Sequence, residues 1–550
     1  MTDIPYDLSK RDSEKTLCPL ADPIGTSSAP CPKEYQICQS LPQHPTAQAE
    51  TDGQIEANDV KVGNSFSERK KWSLLALFSF SLIVDQWAYT AYFLFTPAVS
   101  NEYSIPAAQQ SWVINSYVIS FGSTILLFGR ISDLYPPSTV FTYGFLTLGL
   151  LNLIISFLPE MYSYFVFRAI SGIAAAALIP SAFKLISGIF PKEQLGKALT
   201  IYSAAAPVGG GSGAIIAGVV DLIPYGTGQM SAWRWFSRIL AVMIFIPAVG
   251  SIWWMPKDIG RDPSRSEESS RQKFIKLDLG GSFIILSAVL LLILSLTMGG
   301  DHGFNTAYFI APFIISLFLF PTFLWYESRL PEGYPLLPPS IFKLTNVGVF
   351  LFLGLILFSW WSANLSPLFI IYLTYRGESG IAAGARLFPQ AAASIVVTLL
   401  LARWSWFTHH PRYAITTGLT LAIAAYAVFS QSTDQVGTDY WKFIFPPEIF
   451  GSAGAMMVYS ATNVGVMTAV PPSIAGTAGG LLQVSFQVGS ALALGIQAGL
   501  FTIHDGYLAN FKNVQISWYF EMGWLGLGLL VFLVGYRNVK KLSENVEVGH

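Results

Sequence analysis

The feature that most constrains this chain is the regular return of apolar runs of about twenty residues from Trp72 onward. An α-helix rises about 1.5 Å per residue, so each run can cross a hydrocarbon layer of roughly 30 Å. Lipid offers no hydrogen bonds to a peptide backbone, whereas a helix satisfies its own. The sequence therefore predicts an all-α integral membrane protein with fourteen spans. They are expected near residues 72–99, 111–128, 138–158, 164–189, 198–220, 236–254, 279–298, 307–326, 347–372, 382–402, 413–430, 443–468, 475–503 and 517–536.

Composition excludes several other classes of protein. Only 12% of the 550 residues are charged and 52% are hydrophobic, whereas soluble domains carry about 25% charged residues. A net charge of −1 offers no basic surface for a phosphate backbone, so no nucleic-acid partner is expected. No Gly-x-x-x-x-Gly-Lys-Ser/Thr segment occurs, which argues against ATP hydrolysis. We expect no cofactor.

Residues 1–65 are rich in Pro, Ser, Thr, Gln and acidic residues without apolar periodicity, and we expect a disordered cytoplasmic tail. The tail holds Cys18, Cys31 and Cys38 at spacings that fit neither a zinc site nor a disulfide framework. Free thiols are therefore expected, and no metal site. The first residues lack a cationic segment followed by an apolar one, so no cleavable signal peptide is expected.

The distribution of basic residues predicts the orientation. An even number of spans puts both termini on one side, and the loops on that side hold nineteen Lys and Arg residues against six in the opposite loops. Basic residues are retained on the cytoplasmic side, so both termini are expected there. The one long charged loop after the tail follows six spans. The predicted parts are a six-helix bundle over 66–254, a cytoplasmic loop over 255–278, two inserted helices over 279–326 and a second six-helix bundle over 347–540.

Asp85, near the middle of the first span, is the most informative residue within the membrane. A charge there costs roughly 2.5–3.5 kcal/mol on insertion scales, so it needs a reason. Ser81, Asp85, Tyr89, Tyr92 and Thr96 fall on one helical stripe, and the opposite face is apolar. A structural carboxylate tied to a neighbouring helix would explain Asp85. We favour a relay role, because membrane carboxylates commonly carry protons or ions.

Other polar residues inside the spans also call for an explanation. Lys184 lies near the cytoplasmic end of the fourth span, and we expect it to snorkel to the surface. Arg168 in the same span and Glu448 early in the twelfth are further candidates for work on a proton. Gln483 and Gln487 share one face of the thirteenth span, which is expected to meet the other bundle or a watery cavity. Glutamines that only pin neighbouring helices would explain this face equally well.

Four short motifs resemble one known family. Gly129-Arg130-Ile131-Ser132-Asp133, after the second span, resembles the signature between the second and third helices of the major facilitator superfamily. Arg168 followed by Gly172 resembles the fourth-helix motif that is implicated in proton transfer in proton-coupled members. Ala206-Pro207-Val208-Gly209-Gly210-Gly211 resembles the fifth-helix antiporter motif, with Ala206 in place of the usual Gly. Tyr372-Leu373 with Ala383-Gly384-Ala385-Arg386-Leu387-Phe388-Pro389 resembles the fourteen-span drug:H+ antiporter branch, of fungal type.

The resemblance implies two six-helix bundles with two inserted helices, arranged 6 + 2 + 6, around a central cavity lined by spans 1, 4, 9 and 12. It implies proton coupling by Asp85, Arg168 and Glu448. It also implies a gating motif of Gly129, Arg130 and Asp133, an antiporter-like motif of Pro207, Gly210 and Gly211, and an interface role for Gln483 and Gln487. The cavity residues expected from it are Tyr89, Tyr92, Trp360, Trp361, Asn364, Tyr459 and Asn463.

The predicted function is proton-coupled efflux of small organic molecules, such as drugs, toxins or metabolites, by a transporter and not an enzyme. Its expected partners are a small-molecule substrate, protons and the lipid bilayer. We expect a monomer in the plasma membrane rather than in a vacuolar membrane. Two alternatives stay open. A uniporter or symporter of a small polar solute such as borate or ammonium would share the fold, and a nutrient sensor could keep the fold and signal through the tail.

Overall fold

The computed structural model describes residues 66–106, 109–222, 228–256, 259, 269–331, 334–404, 410–433 and 436–537. The predicted disordered tail, 1–65, lies outside these residues. Within them the chain forms long helices joined by short connections. The helices are α1 (Glu68–Glu102), α2 (Trp112–Leu134), α3 (Pro137–Ile155), α4 (Met161–Ile189), α5 (Lys192–Asp221), α6 (Ala232–Trp254), α7 (Leu279–His302), α8 (Ala307–Glu327), α9 (Val347–Tyr375), α10 (Gly380–Arg403), α11 (Pro411–Phe429), α12 (Phe445–Ala469), α13 (Ala475–Leu500) and α14 (Phe511–Gly535).

These helices confirm the predicted fold class. Thirteen helices of the described residues are long enough and apolar enough to cross a membrane. The remaining one, α12, is also long enough with 25 residues, but it carries Glu448, Asn463 and many small polar residues. Most of α12 is buried against other helices, so it does not need an apolar surface towards lipid. We call the side on which α1 begins and α14 ends the terminal face.

Proline leaves a backbone carbonyl group without its helical donor in each of two helices. In α4 the helix breaks at Ala177, because the nitrogen of Pro180 has no hydrogen to donate to the carbonyl of Ala176. In α9 the ring of Pro367 leaves the carbonyl of Ala363 without its helical donor. The side-chain amide of Gln497 in α13 fills that place at 2.9 Å. The irregular helix is thus satisfied by a neighbour, as buried backbone in lipid must be.

Two pairs of helices join the halves of the molecule. Helix α5 packs against α10, and α2 packs against α13. Glycine makes the second contact possible: a Cβ on Gly129 would lie 2.7 Å from the carbonyl oxygen of Gly476, and a Cβ on Gly476 would lie 2.7 Å from the carbonyl oxygen of Gly129. Larger residues at either position would separate the helices. The Gly-rich fifth and thirteenth spans therefore lie at the junction of the halves.

The inserted helices form a pair at the side of this junction. Helix α7 packs on α8 and also contacts α2 and α13. Helix α8 buries only Ser316, Phe323 and Glu327. Its exposed residues are large and apolar, among them Phe318 and Trp325, so this helix presents a lipid-facing surface.

Candidate functional site

A cavity of about 470 Å³ lies between the two halves of the protein. Its wall is drawn from α1, α2, α5, α7, α9, α10, α12 and α13, and it reaches from Asp85 towards the loop after α13 on the face opposite the terminal face. The aromatic residues of the wall are Tyr89, Phe93, Tyr117, Phe121, Phe358, Trp361, Tyr459, Phe501 and Tyr507. Its amide side chains are Gln86, Asn115, Gln390, Gln487 and Gln497. Among the described lining residues, Asp85 is the only Asp, Glu, Lys, Arg or His.

Asp85 is held in place by a short chain of hydrogen bonds. The hydroxyl of Tyr117 in α2 donates to Oδ1 at 2.5 Å, and Nε2 of Gln86 donates to Oδ2 at 3.2 Å. The hydroxyl of Tyr89 in turn donates to Oε1 of Gln86 at 3.0 Å. Asp85 is only 2% exposed, although its side chain belongs to the cavity wall. A proton arriving from the cavity therefore meets Asp85 within a network of hydroxyl and amide groups.

Arg168 lies behind this wall and does not contact Asp85. Its side chain is fully buried, and Nη1 donates to the carbonyl oxygen of Ala88 at 2.7 Å. The guanidinium lies 4.2 Å from the ring centre of Tyr92 and 4.9 Å from that of Tyr117. Nε and Nη2 have no hydrogen-bond partner among the described residues. Among the described residues no ion pair joins Arg168 to Asp85: the ring of Tyr117, whose hydroxyl bonds to Asp85, lies beside the guanidinium.

Glu448 also stands behind the wall, in the other half of the protein. It is fully buried in the first turn of α12. Oε1 accepts a hydrogen bond from Nε2 of Gln390 at 3.4 Å, and Gln390 itself lines the cavity. Oε2 has no partner among the described residues. Among the described contacts, Glu448 is therefore connected to the cavity wall through the side-chain amide of Gln390.

The predicted cavity residues divide into two groups. Tyr89, Trp361 and Tyr459 line the cavity. Tyr92, Trp360, Asn364 and Asn463 do not line it, and each is less than 1% exposed. Their side chains turn into the helix bundles: the Tyr92 hydroxyl hydrogen bonds to the Ser237 hydroxyl at 2.7 Å, Trp360 donates to Ser452 at 3.1 Å, and Asn463 donates to the carbonyl oxygen of Tyr459 at 2.9 Å.

The antiporter-like motif forms part of the same wall. Pro207, Gly210 and Gly211 of α5 line the cavity, and Gly211 packs directly on Ala391 of α10. Gln487, predicted at the interface, lines the cavity as well. Gln483 is buried near Tyr459 and does not line the cavity. The two glutamines of one helical face therefore have different surroundings.

The predicted gating motif lies at the contact between α2 and α13, near the terminal face. Asp133 at the end of α2 accepts hydrogen bonds from the backbone N–H groups of Gly476 (3.0 Å) and Thr477 (2.7 Å) in the first turn of α13. A carboxylate is favoured at a helix N-terminus, where free N–H groups and the helix dipole attract negative charge. Nζ of Lys184 lies 3.1 Å from Asp133 Oδ1 and also donates to the carbonyl oxygen of Pro472. Lys184 therefore does not snorkel as expected, since its charge is used inside this contact.

Arg130 points away from the cavity, towards the inserted helices. Nε donates to the carbonyl oxygen of Lys276 at 3.1 Å, and Nη2 lies 3.5 Å from the carbonyl oxygen of Tyr334. Arg130 is 2% exposed, and Gly129 lies at the α13 contact described above. The motif thus serves two contacts, one with α13 and one with the segments that flank α7 and α8.

Sequence reasoning missed Tyr117 and Gln390. Each is a polar residue in a largely apolar span, which is the signal that singled out Asp85. Their importance comes from contacts between helices, and residue spacing within one span does not reveal those. Among the described residues, no group of three or more His, Cys, Asp or Glu is close enough to hold a metal ion.

Comparison with known proteins places this arrangement among membrane transporters. The profile of the family described as Major Facilitator Superfamily matches residues 78–494. The chain is 26% identical to the low affinity ammonium transporter of Saccharomyces cerevisiae over 80% of this chain and 84% of that protein. It is 27% identical to the cephamycin export protein CmcT of Amycolatopsis lactamdurans over 73% of this chain and 79% of that protein. The crystal structure of the human organic anion transporter MFSD10 superposes with a TM-score of 0.57 at 15% identity, over 85% of this chain and all of that one, which shows a shared fold.

Proposed function

This chain belongs to the major facilitator superfamily, as its motifs suggested, and we propose that it is a proton-coupled exporter of small amphipathic organic molecules. The observation that carries the proposal is the composition of the cavity wall, which combines many aromatic rings with one carboxyl group, Asp85. Aromatic rings bind planar apolar surfaces, and amide groups such as Gln390 and Gln487 fix their orientation. A single carboxyl group can bind either a proton or a cationic group of the substrate.

The size of the cavity supports an organic substrate. Pockets for drug-sized molecules measure about 300–1,000 Å³, and this cavity holds about 470 Å³. The relative from Amycolatopsis lactamdurans is named for export of cephamycin, an organic molecule. We therefore propose planar or amphipathic organic molecules, neutral or cationic, as substrates. An anionic substrate would meet Asp85 and, among the described lining residues, no cation.

In the proposed cycle Asp85 alternates between a proton and substrate. The cavity, open towards the face opposite the termini, receives a proton, and Asp85 binds it with the Tyr117 hydroxyl as neighbour. Arg168 supplies positive charge behind Tyr117, which favours release of the proton when the cavity changes sides. Glu448 is the second candidate for holding a proton, reached through Gln390.

Asp133 is proposed to hold the closed side of the cycle. Its two hydrogen bonds to the first turn of α13, and the hydrogen bond from its ion-pair partner Lys184 to the carbonyl oxygen of Pro472, all cross between the halves of the molecule. Opening towards the terminal face must break all three. The energy of these contacts therefore sets how long the cavity stays closed on that side.

The orientation is proposed from charge. The loops of the terminal face hold nineteen Lys and Arg residues against six on the opposite face, so both termini lie in the cytoplasm. The cavity of this structure then faces away from the cytoplasm, as an exporter does after release of its substrate. We propose that the protein works as a monomer in the plasma membrane, since the cavity is formed within one chain.

A symporter of ammonium is the second candidate, because the chain is 26% identical to the S. cerevisiae ammonium transporter over 462 residues. Asp85 could bind an ammonium ion, and the surrounding tyrosines could contact it through their rings. The volume argues against this function. An ion the size of one water molecule would leave most of a 470 Å³ cavity filled with solvent.

The experiment uses the purified protein in sealed vesicles with an acidic lumen and a panel of solutes. A planar quaternary ammonium compound is the best probe, because it cannot cross the membrane as a free base and be trapped by acid. We expect accumulation of this probe in vesicles with protein oriented inside-out, and collapse of the accumulation when the pH gradient is dissipated. Loss of preloaded methylammonium from the acidic lumen, faster than from protein-free vesicles and with no movement of the larger probes, would overturn efflux in favour of the second candidate.

A further inference from the structure

Two acidic side chains meet where the inserted helices reach the terminal face. Asp278 is the residue that precedes α7, and Glu327 is the last residue of α8. Asp278 is 6% exposed and Glu327 is 1% exposed. The transport cycle proposed above uses neither of them.

Each carboxyl group has one oxygen bonded to its surroundings and one that faces the other group. Asp278 Oδ1 accepts the backbone N–H of Gly281 at 3.1 Å and the Tyr326 hydroxyl at 3.0 Å. Glu327 Oε2 accepts the backbone N–H of Leu337 at 3.2 Å. Asp278 Oδ2 and Glu327 Oε1 find no donor elsewhere among the described residues. Both lie over Cα of Gly281, where a Cβ would contact the two oxygens at once.

A shared proton resolves this arrangement. Two ionised carboxylates that face each other in a buried site repel strongly, so such pairs hold one proton between them. With that proton, one group donates a hydrogen bond and the other accepts it, which satisfies both free oxygens. Two charged groups act on Glu327: its neighbour Asp278, and Arg130 of α2. The hydroxyl of Tyr326 in α8 acts on Asp278. The pair with one proton carries a single negative charge that Arg130 balances.

Arg130 connects this pair to the contact of Asp133 with the first turn of α13, which we call the gate. It is bonded to the backbone of Lys276, just before α7, and of Tyr334, just after α8. Three residues further along α2, Asp133 holds the first turn of α13. The acidic pair and the gate are therefore attached to the same helix end, less than one turn apart.

We propose that Asp278 and Glu327 form a proton-binding site that holds the inserted helices to the end of α2. While one proton is shared, segments 276–281 and 334–337 stay bound at Arg130. When the proton leaves, two carboxylates face each other and the contact opens. The held state contains one proton more than the opened state, so it is favoured at low pH on the terminal face and is lost as the pH rises. The gate thereby responds to pH on that face without involvement of Asp85.

Hydrogen exchange of the full-length protein in lipid nanodiscs tests this site without substrate and without flux. The amides to follow are those of Gly281 and Leu337, which donate to the pair. Because the opened state has lost one proton, their protection should fall about tenfold per pH unit above the onset of opening, after correction for the intrinsic pH dependence of exchange. A protection that is independent of pH in the wild-type protein would overturn the proposal, and the proposed transport function would be unaffected.

Variants identify the pair as the source of the pH dependence. Glu327→Gln carries a permanent donor towards Asp278, so protection should stay high and lose its slope. Asp278→Asn serves the same purpose if Glu327→Gln does not fold, because Asn also caps a helix well. Tyr326→Phe is the matched control: it removes one hydrogen bond to Asp278, keeps both carboxyl groups and should keep the slope. An unchanged slope in Glu327→Gln and Asp278→Asn would show that another group binds the proton.

Discussion

Tyr117 donates a hydrogen bond to Asp85 at 2.5 Å, and it does so across the interface between α2 and α1. The guanidinium of Arg168 lies 4.9 Å from the centre of the Tyr117 ring. A change of charge on Asp85 therefore affects Arg168 through the side chain of Tyr117 and not through an ion pair. This relationship determines how the site should respond to substitution.

Asp85→Asn should abolish proton-driven accumulation and leave part of the substrate exchange. Asparagine keeps the shape and accepts hydrogen bonds but cannot gain or lose a proton, whereas exchange needs no net proton movement. Both quantities are measured in the same inside-out vesicles, as pH-gradient-driven uptake and as counterflow. Asp85→Glu, the control, should retain some coupling. If accumulation survives in the Asn variant, Asp85 is structural and Glu448 becomes the candidate.

Tyr117→Phe and Arg168→Lys should have effects on coupled transport that are not additive. The first removes the hydroxyl that Asp85 uses, and the second weakens the contact of the guanidinium with the Tyr117 ring. Residues that act through one another show interaction energies of about 0.5–3 kcal/mol in double-mutant cycles. The measurement is initial gradient-driven uptake for wild type, both single variants and the double variant. Strict additivity would mean that Arg168 acts on transport by a route that bypasses Tyr117.

Asp133→Asn should impair flux more than substrate binding. The substitution removes the charge that attracts Lys184 and the first turn of α13, and the contact with two backbone N–H groups becomes weaker. A loss of about 1–3 kcal/mol shifts a conformational equilibrium roughly 5- to 150-fold. Flux and equilibrium binding are compared at matched surface expression. Equal flux in variant and parent would remove Asp133 from the mechanism.

Gly476→Ala should prevent tight closure on the terminal face. The new Cβ would lie 2.7 Å from the carbonyl oxygen of Gly129 and 2.8 Å from Oδ1 of Asp133, and both are held in place. Overpacking of this kind costs about 1–3 kcal/mol. The control is Gly523→Ala in α14, where a Cβ meets nothing within 4 Å. The measurement is the reactivity of a cysteine introduced into the cavity wall towards a reagent added at the terminal face. This reactivity should rise in Gly476→Ala only, and equal reactivity in the two variants would contradict tight closure at Gly476.

Tags at both termini and within 255–278 should be protected from outside reagents in intact cells, whereas a tag at Gly303 should be reachable. The expectation follows from the bias of nineteen to six basic residues, and Gly303 follows α7 on the opposite face. Antibody staining before and after permeabilisation measures it. Staining of the 255–278 tag in intact cells would reverse the proposed orientation.

The sequence predicts the helices far better than it predicts the wall of the cavity. The thickness of the lipid hydrocarbon core sets the length of an apolar run, so the sequence predicts each of the helices α1 to α14. The polar α12 is predicted from its length. Trp360 and Trp361 show the limit. Adjacent residues of a helix point about 100° apart, so only Trp361 reaches the cavity, while Trp360 packs on Tyr426. Which of the two faces inwards depends on how α9 is rotated, and neighbouring helices determine that.

The hydrogen-bond partners were the other part that the sequence could not supply. Tyr117 and Asp85 are far apart along the chain, as are Gln390 and Glu448. Lys184 has an apolar helix around it, and its position near a helix end favours snorkelling by local reasoning alone. The packing of α4 on α2 gives it Asp133 as a partner, and the approach of the segment before α13 gives it Pro472.

A cavity wall with one carboxyl group also fixes the electrical balance of exchange. One proton traded for one monovalent cationic substrate moves no net charge across the membrane, so the membrane voltage neither drives nor opposes that exchange. One proton traded for a neutral substrate carries one charge inward, and a voltage of 100 mV then contributes about 2.3 kcal/mol. With Asp85 as the only charged residue among the described lining residues, the proposed exchange of one proton per substrate would export neutral compounds against steeper gradients than cationic ones in an energised membrane.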